Sequence, residues 1–374
     1  MRRLGILVFY DNEGIVDSYI DYLLKELDIV CEKVYLIVNG VIQQYDLNRL
    51  RTYITDIYIR DNSGFDAGAY KDAFLNLIPY YDWIYYDEIV LVNDTFFGPI
   101  FSLKNLWEKV GDENIDFWGL TRHPRVILSD GKEINSHIQS YFLVIRKRMS
   151  TSSCFLNFWK NLSYLMNYQD VIDNFELKFT VFFEAAGFRG KALMDDVNFQ
   201  YEDNPYIYHS YELLKAGKLP FIKKKCLGFQ RAGYENTLDA IEYIKREYQY
   251  DLEMIWKNIC RLCKEKRYDS ILDYYKLELF YNRYKRIYIY GAGKYGRKMQ
   301  KYFYCRGWIF EKILVSDNRN ISIDSECCNY RDVFLDEMDG VVLALGEKAT
   351  EEVLQMMIKD LKPEQIFTLQ FDRG

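Results

Sequence analysis

The sequence predicts an α/β protein, and three observations predict it. Short apolar runs alternate with amphipathic segments in the N-terminal part of the chain, and polar and acidic residues gather where those runs end. Near the other end, a Gly-rich turn again joins an apolar run to a helical pattern.

Residues 4–10, LGILVFY, read as a short buried strand, and GIVDSYIDYLLKEL (14–27) follows with apolar residues at helical intervals. KVYLIVNG (33–40), ITDIYIR (54–60) and EIVLVND (88–94) are the next three strands. Repetition of this kind makes a mostly parallel sheet with helices on both faces, and ligands bind such sheets beyond the C-terminal strand ends. Those ends carry Tyr10 and Asp11, Asn39 and Gly40, the turn 60–64, and Asn93 and Asp94, so four loops converge on one edge. DFWGLTRHP (116–124) and HIQSYFLVIRK (137–147) read as further strand material. From about 235 to 283, Ile241, Ile244, Tyr248, Leu252, Ile255, Ile259 and Leu262 recur at three- and four-residue spacing, which predicts a helical connector. RIYIYGAGKYGRKMQKYF (286–303) then restarts the strand–turn–helix pattern, and KILVSDN, GVVLALG and QIFTLQF supply three more strands. The expected organisation is a mixed-sheet domain over 1–234, a helical connector over 235–284 and a small Rossmann-like α/β domain over 285–374.

Composition narrows the function classes. Forty-nine basic and 55 acidic residues give a net charge of -6, which excludes a dedicated nucleic-acid binder. The sequence contains neither a bilayer-length apolar run nor a secretory leader pattern, so the expectation is a soluble cytoplasmic protein. Eight scattered cysteines fit reduced thiols; Cys260 and Cys263 form one Cys-x-x-Cys inside a helical pattern, read as packing, and Cys327-Cys328 reads the same way. The 34 Tyr and 24 Phe suit domain surfaces, sugar stacking or membrane-facing patches alike.

Chemistry concentrates in a few motifs. In RDNSGFDAGAYKDAF (60–74), Asn62, Ser63 and Gly64 make a turn and Asp66 suits a helix N-cap. Ala67, Gly68 and Ala69 also leave room for a phosphate-bearing ligand at the helix start. VLVNDTFFGP ends a strand on Asn93 and Asp94, where one acid either closes a turn or holds a divalent cation against a diphosphate. Glu176 stands at the head of a helix closing at Gly187, and His209 is one of 3 histidines. GAGKYG places Gly291, Gly293 and Gly296 as a Gly-x-Gly-x-x-Gly, with Asp317 ending the next strand. Read literally this is an NAD site. The short segment and the lack of a catalytic proton relay argue against NAD and leave close packing or a sugar nucleotide.

Taken together and in order, NSGFDAGAYKDAF, VLVNDTFFGP, DFWGLT, HIQSYFLVIRK, the Glu-led helix ending AAGF, and NPYIYHSYELLKAGKLPFIKKK resemble the rhamnan synthesis protein F family. Its members are bacterial glycosyltransferases that build rhamnose-containing cell-wall and capsular polysaccharides. The resemblance covers residues 4–233. It implies a GT-A type fold, a nucleotide-sugar donor, namely dTDP-L-rhamnose, and a lipid-linked saccharide acceptor. On this comparison Tyr10, Asp11, Asn62, Gly64, Asp66, Gly68 and Asn93 line the donor site. Asn93-Asp94-Thr95 stands where an Asp-x-Asp is usual, with only one acid; Asp94 and His209 are the implied ligands of Mg²⁺ or Mn²⁺. Glu176, eleven positions before Gly187, takes the general-base role of an inverting transferase, with Glu184, Asp195 and Asp196 as rivals. The run Lys223-Lys224-Lys225 reads as an exposed basic patch for peripheral contact with the inner face of the plasma membrane. Two other function classes stay open: an NAD-dependent sugar-nucleotide oxidoreductase, and a non-catalytic glycan-assembly protein.

Overall fold

The computed structural model describes residues 1–111, 114–127, 131, 133–164, 167–197, 204–227, 234–262, 269–316 and 327–369. The chain divides into two compact units, Met1–Lys264 and Glu265–Gly374. Residues 235–284, expected as a connector, are shared out: helices Tyr234–Glu247 and Glu253–Leu262 fall in the first unit and Asp269–Arg283 in the second. The periodic apolar pattern is real at Ile241, Ile244, Ile255 and Ile259, all buried.

The strands of the first unit are β1 (Arg3–Phe9), β2 (Lys33–Asn39), β3 (Asp56–Arg60), β4 (Glu88–Asn93), β5 (Phe96–Phe97), β6 (Phe117–Gly119), β7 (Arg122–His123), β8 (Val126–Ile127), β9 (Glu133–Ile134), β10 (His137–Ile138), β11 (Phe142–Arg146), β12 (Gly190–Ala192) and β13 (Ile222–Lys223). A seven-stranded sheet runs in the order β12-β6-β11-β4-β1-β2-β3. β4, β1, β2 and β3 are parallel, β11 is antiparallel to β4 and β6, and β12 is parallel to β6. Every residue of β4 is buried, as a central strand covered on both faces requires. Because β11 runs against β4, pairing Phe142 with Val92, it begins at the edge where β4 ends. Residues just before β11 therefore meet residues just after β4.

The opposite edge is locked by Glu88, a fully buried carboxylate. It accepts from Arg3 Nε at 2.7 Å, Trp107 Nε1 at 2.6 Å and Arg146 Nε at 3.3 Å. A buried charge needs such company, and here it ties β1, β4 and β11 in register. Aromatic residues fill the core beside the sheet: Phe74, Trp83, Phe155, Trp159, Phe175, Phe179 and Phe183 are buried, with Phe179 and Phe183 ring centroids 4.8 Å apart. Burying each contributes roughly 1.5–3 kcal/mol, so packing uses many of the rings that composition left unassigned.

One helix departs from expectation. Glu176 is not at a helix head: helical turns run through Tyr168–Val171, Ile172–Glu176 and Leu177–Ala185, and the cap is Asn167, whose side chain accepts from Asp170 N at 2.9 Å. Ile172–Glu176 is a π-helical turn. The widened turn lets Phe175 and Phe179 face the core while Glu176 and Thr180 face residues 137–140. The end at Gly187 is as expected, with φ +85° there and Phe188 N bonded to Phe183 O at 3.0 Å.

The second unit contains β14 (Arg286–Tyr290), β15 (Ile313–Val315), β16 (Cys327–Asn329), β17 (Asp339–Leu343) and β18 (Ile366–Thr368). They form a separate five-stranded sheet, order β16-β15-β14-β17-β18, parallel throughout. Gly291 has φ +120°, and a Cβ on Gly296 would sit 1.8 Å from Gly291 O, so both glycines are demanded by the turn itself. A Cβ on Gly293 would meet open space. Asp317 lies outside the described residues.

Candidate active site

The C-terminal end of β4 organises a hydrogen-bonded chain. Asn93 is buried, and its backbone N donates to Tyr141 O at 3.3 Å, which joins β4 to the residue before β11. Its side-chain Nδ2 donates to Asp66 Oδ2 at 2.9 Å, so its Oδ1 is left as acceptor and takes the Thr95 hydroxyl at 2.6 Å. Having donated, Thr95 Oγ1 accepts from Lys223 Nζ. The order Lys223, Thr95, Asn93, Asp66 thus runs in one donor-to-acceptor direction, from a cation to an anion.

Each member has a local reason to be there. Asp66 is the second residue of helix Phe65–Asp72, whose cap is Gly64 at φ +73°; the expectation of Asp66 as the N-cap is corrected by two residues. The preceding turn is tied by Arg60, which donates to Asp72 Oδ2 (2.7 Å), Asn39 Oδ1 (2.6 Å) and Ser63 O (2.7 Å). Lys223 arrives because β13 pairs antiparallel with β5, placing it opposite Phe96 just past the end of β4. Its ammonium lies 4.2 Å from the Tyr141 ring centroid, 5.3 Å from Tyr206 and 5.7 Å from Phe96. Lys223 is 8% exposed. Burial, with the adjacent Lys225 charge, pulls its pKa down to about 7 against the opposing pull of Glu176 and Asp66.

Lys224 and Asp94 sit beside this chain. Lys224 Nζ is 3.9 Å from Asp94 Oδ2, hydrogen-bonds Tyr19 OH and stands 4.4 Å from the Tyr19 ring centroid. Asp94 Oδ2 also accepts from Tyr10 N at 3.4 Å. Burial raises the carboxyl pKa of both Asp94 and Asp66; Lys224 opposes the rise at Asp94, and the Asn93 hydrogen bond opposes it at Asp66. Lys223 is buried and Lys224 half-buried, so these two do not form the exposed basic patch expected of this run.

Glu176 reaches the same edge from its π turn. Its Oε2 accepts from Ser140 N at 3.2 Å and Ser140 Oγ at 2.6 Å, while Oε1 stands 4.0 Å from His137 Nε2 and accepts no hydrogen bond among the described residues. Burial lowers the His137 pKa, and its Nδ1 donates to Asn135 O at 2.9 Å, so the neutral ring turns a bare Nε2 toward Glu176. The Glu176 side chain remains 24% exposed. The rival carboxylates are otherwise engaged: Asp195 caps Ala192 N and pairs with Arg122, Asp196 faces Lys191 and Lys218, and Glu184 lies 3.9 Å from Arg122.

The structure thus brings together Asp66, Asn93, Asp94, Glu176 and the Tyr10 backbone. Other candidates of the first unit have local roles. Asp11 binds Glu13 N and Ile15 N through Oδ1 and Arg261 through Oδ2, a loop-fastening role. Asn62 offers its carbonyl to Phe65 N within the turn. Gly68 is glycine because a Cβ would meet Ser63 O at 2.2 Å, so its smallness serves backbone packing rather than ligand approach. Gly291, Gly293 and Gly296 belong to the second unit. His209 stands at the N-cap of helix Ser210–Lys215. Sequence reading missed Lys223, Lys224, Thr95, Ser140 and Arg60. For the two lysines the available signal was a triple lysine directly after an apolar run, where a solvent patch is the ordinary expectation.

These donors do not fit a divalent cation. The single carboxylate of Asp94 already faces an ammonium, Asp66 is bonded to an amide, and no group of three His, Cys, Asp or Glu suited to a metal occurs among the described residues.

Among solved structures, the chain resembles the glycosyltransferase GlyE of Streptococcus pneumoniae TIGR4 at 13% identity and TM-score 0.33, covering 100% of this chain and 93% of that one. It resembles glucosyl-3-phosphoglycerate synthase of Mycobacterium tuberculosis, solved with Mn²⁺, UDP and glucosyl-3-phosphoglycerate, at 10% identity and TM-score 0.27, covering 51% and 70%. Likeness at such scores carries no argument about the site. The uncharacterized protein y4gN of Sinorhizobium fredii is 28% identical over 256 residues, which is 68% of this chain and 57% of that protein's length. Residues 34–288 match the family described as rhamnan synthesis protein F, a span that holds β3 to β13 and every member of the hydrogen-bonded chain, and on that match the chain belongs to the rhamnan synthesis protein F family.

Proposed function

We propose that this protein is an inverting glycosyltransferase that moves a nucleotide-activated deoxysugar, L-rhamnose from dTDP-L-rhamnose, onto a lipid-linked cell-wall or capsular polysaccharide acceptor. Family membership supports the reading, and one observation carries it: a carboxylate with an oxygen unbonded among the described residues, Glu176 Oε1, opens on the same sheet edge as buried Lys223 and half-buried Lys224. Transfer needs both functions at once. An acceptor hydroxyl attacks the anomeric carbon as Oε1 takes its proton, and the bond to the donor phosphate breaks, its electron pair leaving with the nucleoside diphosphate. Ser140 holds Oε2 and so fixes which oxygen receives the proton. Neutral His137 leaves that oxygen uncompensated by a cation.

Asp66, held by Asn93, faces the sugar, and the lysines face the departing charge. The test is product formation across dTDP-, UDP- and GDP-sugars with a lipid-linked oligosaccharide acceptor. Transfer from dTDP-L-rhamnose with inverted anomeric configuration is the expected result; no transfer from any donor sinks the reading.

A further inference from the structure

We infer that Lys223 and Lys224, and not a divalent cation, hold the diphosphate of the donor and neutralise it as it leaves. The inference rests on the glycosyltransferase reading and names how that same site handles charge.

The argument starts from an incomplete ion balance. Lys223 is buried, yet its ammonium is hydrogen-bonded only to the neutral Thr95 hydroxyl, and no carboxylate lies within ion-pair distance among the described residues. An unpaired buried charge is costly, and a chain keeps one where a ligand of opposite charge completes it. The aromatic faces of Tyr141, Tyr206 and Phe96 help hold the cation but do not neutralise it. Lys224 is the second cation, 3.9 Å from Asp94, which is longer than a charge-assisted hydrogen bond, while the other acids whose charges act on it, Asp17 and Asp11, are bonded to Arg261. Consecutive residues bring the two ammonium groups to the tip of β4, the edge at which ligands bind sheets of this kind.

A metal ion at Asp94 would sit against the Lys224 ammonium, which already faces that carboxylate. Fixed ammonium groups do the same electrostatic work without displacing anything: they stabilise the two negative charges that build on the departing phosphates, from a site already shielded from water. Asn93 in place of the first acid of an Asp-x-Asp follows from this. Its amide is needed to orient Thr95 and Asp66, a task a carboxylate cannot perform because it has no donor.

The experiment is calorimetric titration of the full chain with dTDP, UDP and GDP, in EDTA and in Mn²⁺. The wild type is compared with Lys223→Met, Lys224→Met, Lys224→Arg and Asp94→Asn, each checked for folding by its melting temperature. The expected result is the same affinity for the bound nucleotide in EDTA and Mn²⁺, at least a tenfold loss in each Met variant, recovery in Lys224→Arg, and in Asp94→Asn an affinity that is again the same in EDTA and Mn²⁺. Binding that requires Mn²⁺, disappears in Asp94→Asn and survives both Met variants overturns the inference while leaving the glycosyltransferase reading in place. A folded wild type that binds none of the three nucleotides under either condition overturns both.

Discussion

Replacing Glu176 with Gln separates catalysis from packing at one position. The substituted amide keeps an oxygen in the place of Oε2, so the bonds from Ser140 N and Ser140 Oγ survive in neutral form. Losing only the charge assistance of two partly buried bonds costs about 1 kcal/mol of stability or less. Catalysis loses its proton acceptor outright. General-base removal lowers rates by roughly 10²–10⁴, and at about 1.36 kcal/mol per tenfold the barrier rises by ~2.7–5.4 kcal/mol. Nucleotide affinity changes little, since the base acts on the acceptor in the transition state. Glu176→Ala adds a structural fault to the same chemical one: Ser140, 4% exposed, loses its acceptor, at about 1–3 kcal/mol. The assay pairs single-turnover transfer at saturating donor with urea unfolding for wild type, Glu176→Gln and Glu176→Ala. The expected pattern is two variants equally slow in transfer and unequal in stability. Near wild-type transfer by Glu176→Gln refutes the base assignment and reduces Glu176 to a brace for residues 138–140.

Lys223 makes a pH prediction. Its proton leaves the folded protein near pH 7 but stays on the unfolded chain to about 10.4, so the unfolded state holds more protons between those values and stability rises with pH across that window. Nucleotide affinity moves the other way, falling as the ammonium loses its charge among Lys225, Glu176, Cys226 and Asp66; Lys223→Met should flatten both trends in melting and titration series, and an unchanged slope counts against the buried ammonium. Gly68→Ala forces a Cβ to within 2.2 Å of Ser63 O and should cost about 1–3 kcal/mol in denaturant unfolding, with weaker nucleotide binding because Asp66 moves with the helix start; a neutral result means the turn opens freely. Arg60→Ala strips cover from Asp72 and Asn39 and should cost roughly 3–5 kcal/mol, with Arg60→Lys recovering only part because an ammonium cannot span three acceptors; full recovery would show that charge alone matters there.

Periodicity and local chemistry carried much of this fold. The apolar runs of β1, β2, β3 and β4 and the amphipathic segments between them are one-dimensional signals, and they place Asn93 at a strand tip and Asp66 at a helix start without any knowledge of the chain's path. The ordered motifs likewise pointed to the family. What sequence reading could not supply is what depends on the antiparallel entry of β11 and on the pairing of β5 with β13. Ser140 meets Glu176 because β11 starts where β4 ends, and Lys223 meets Thr95 across 128 positions of chain. The π turn is invisible to a 3.6-residue period, so Glu176 reads from sequence as the head of a helix and stands in the structure as a side chain in mid-helix. A lysine run looks alike whether it meets solvent or an aromatic box; only the tertiary fold decides which, because burial is a property of what packs around a residue and not of the residue.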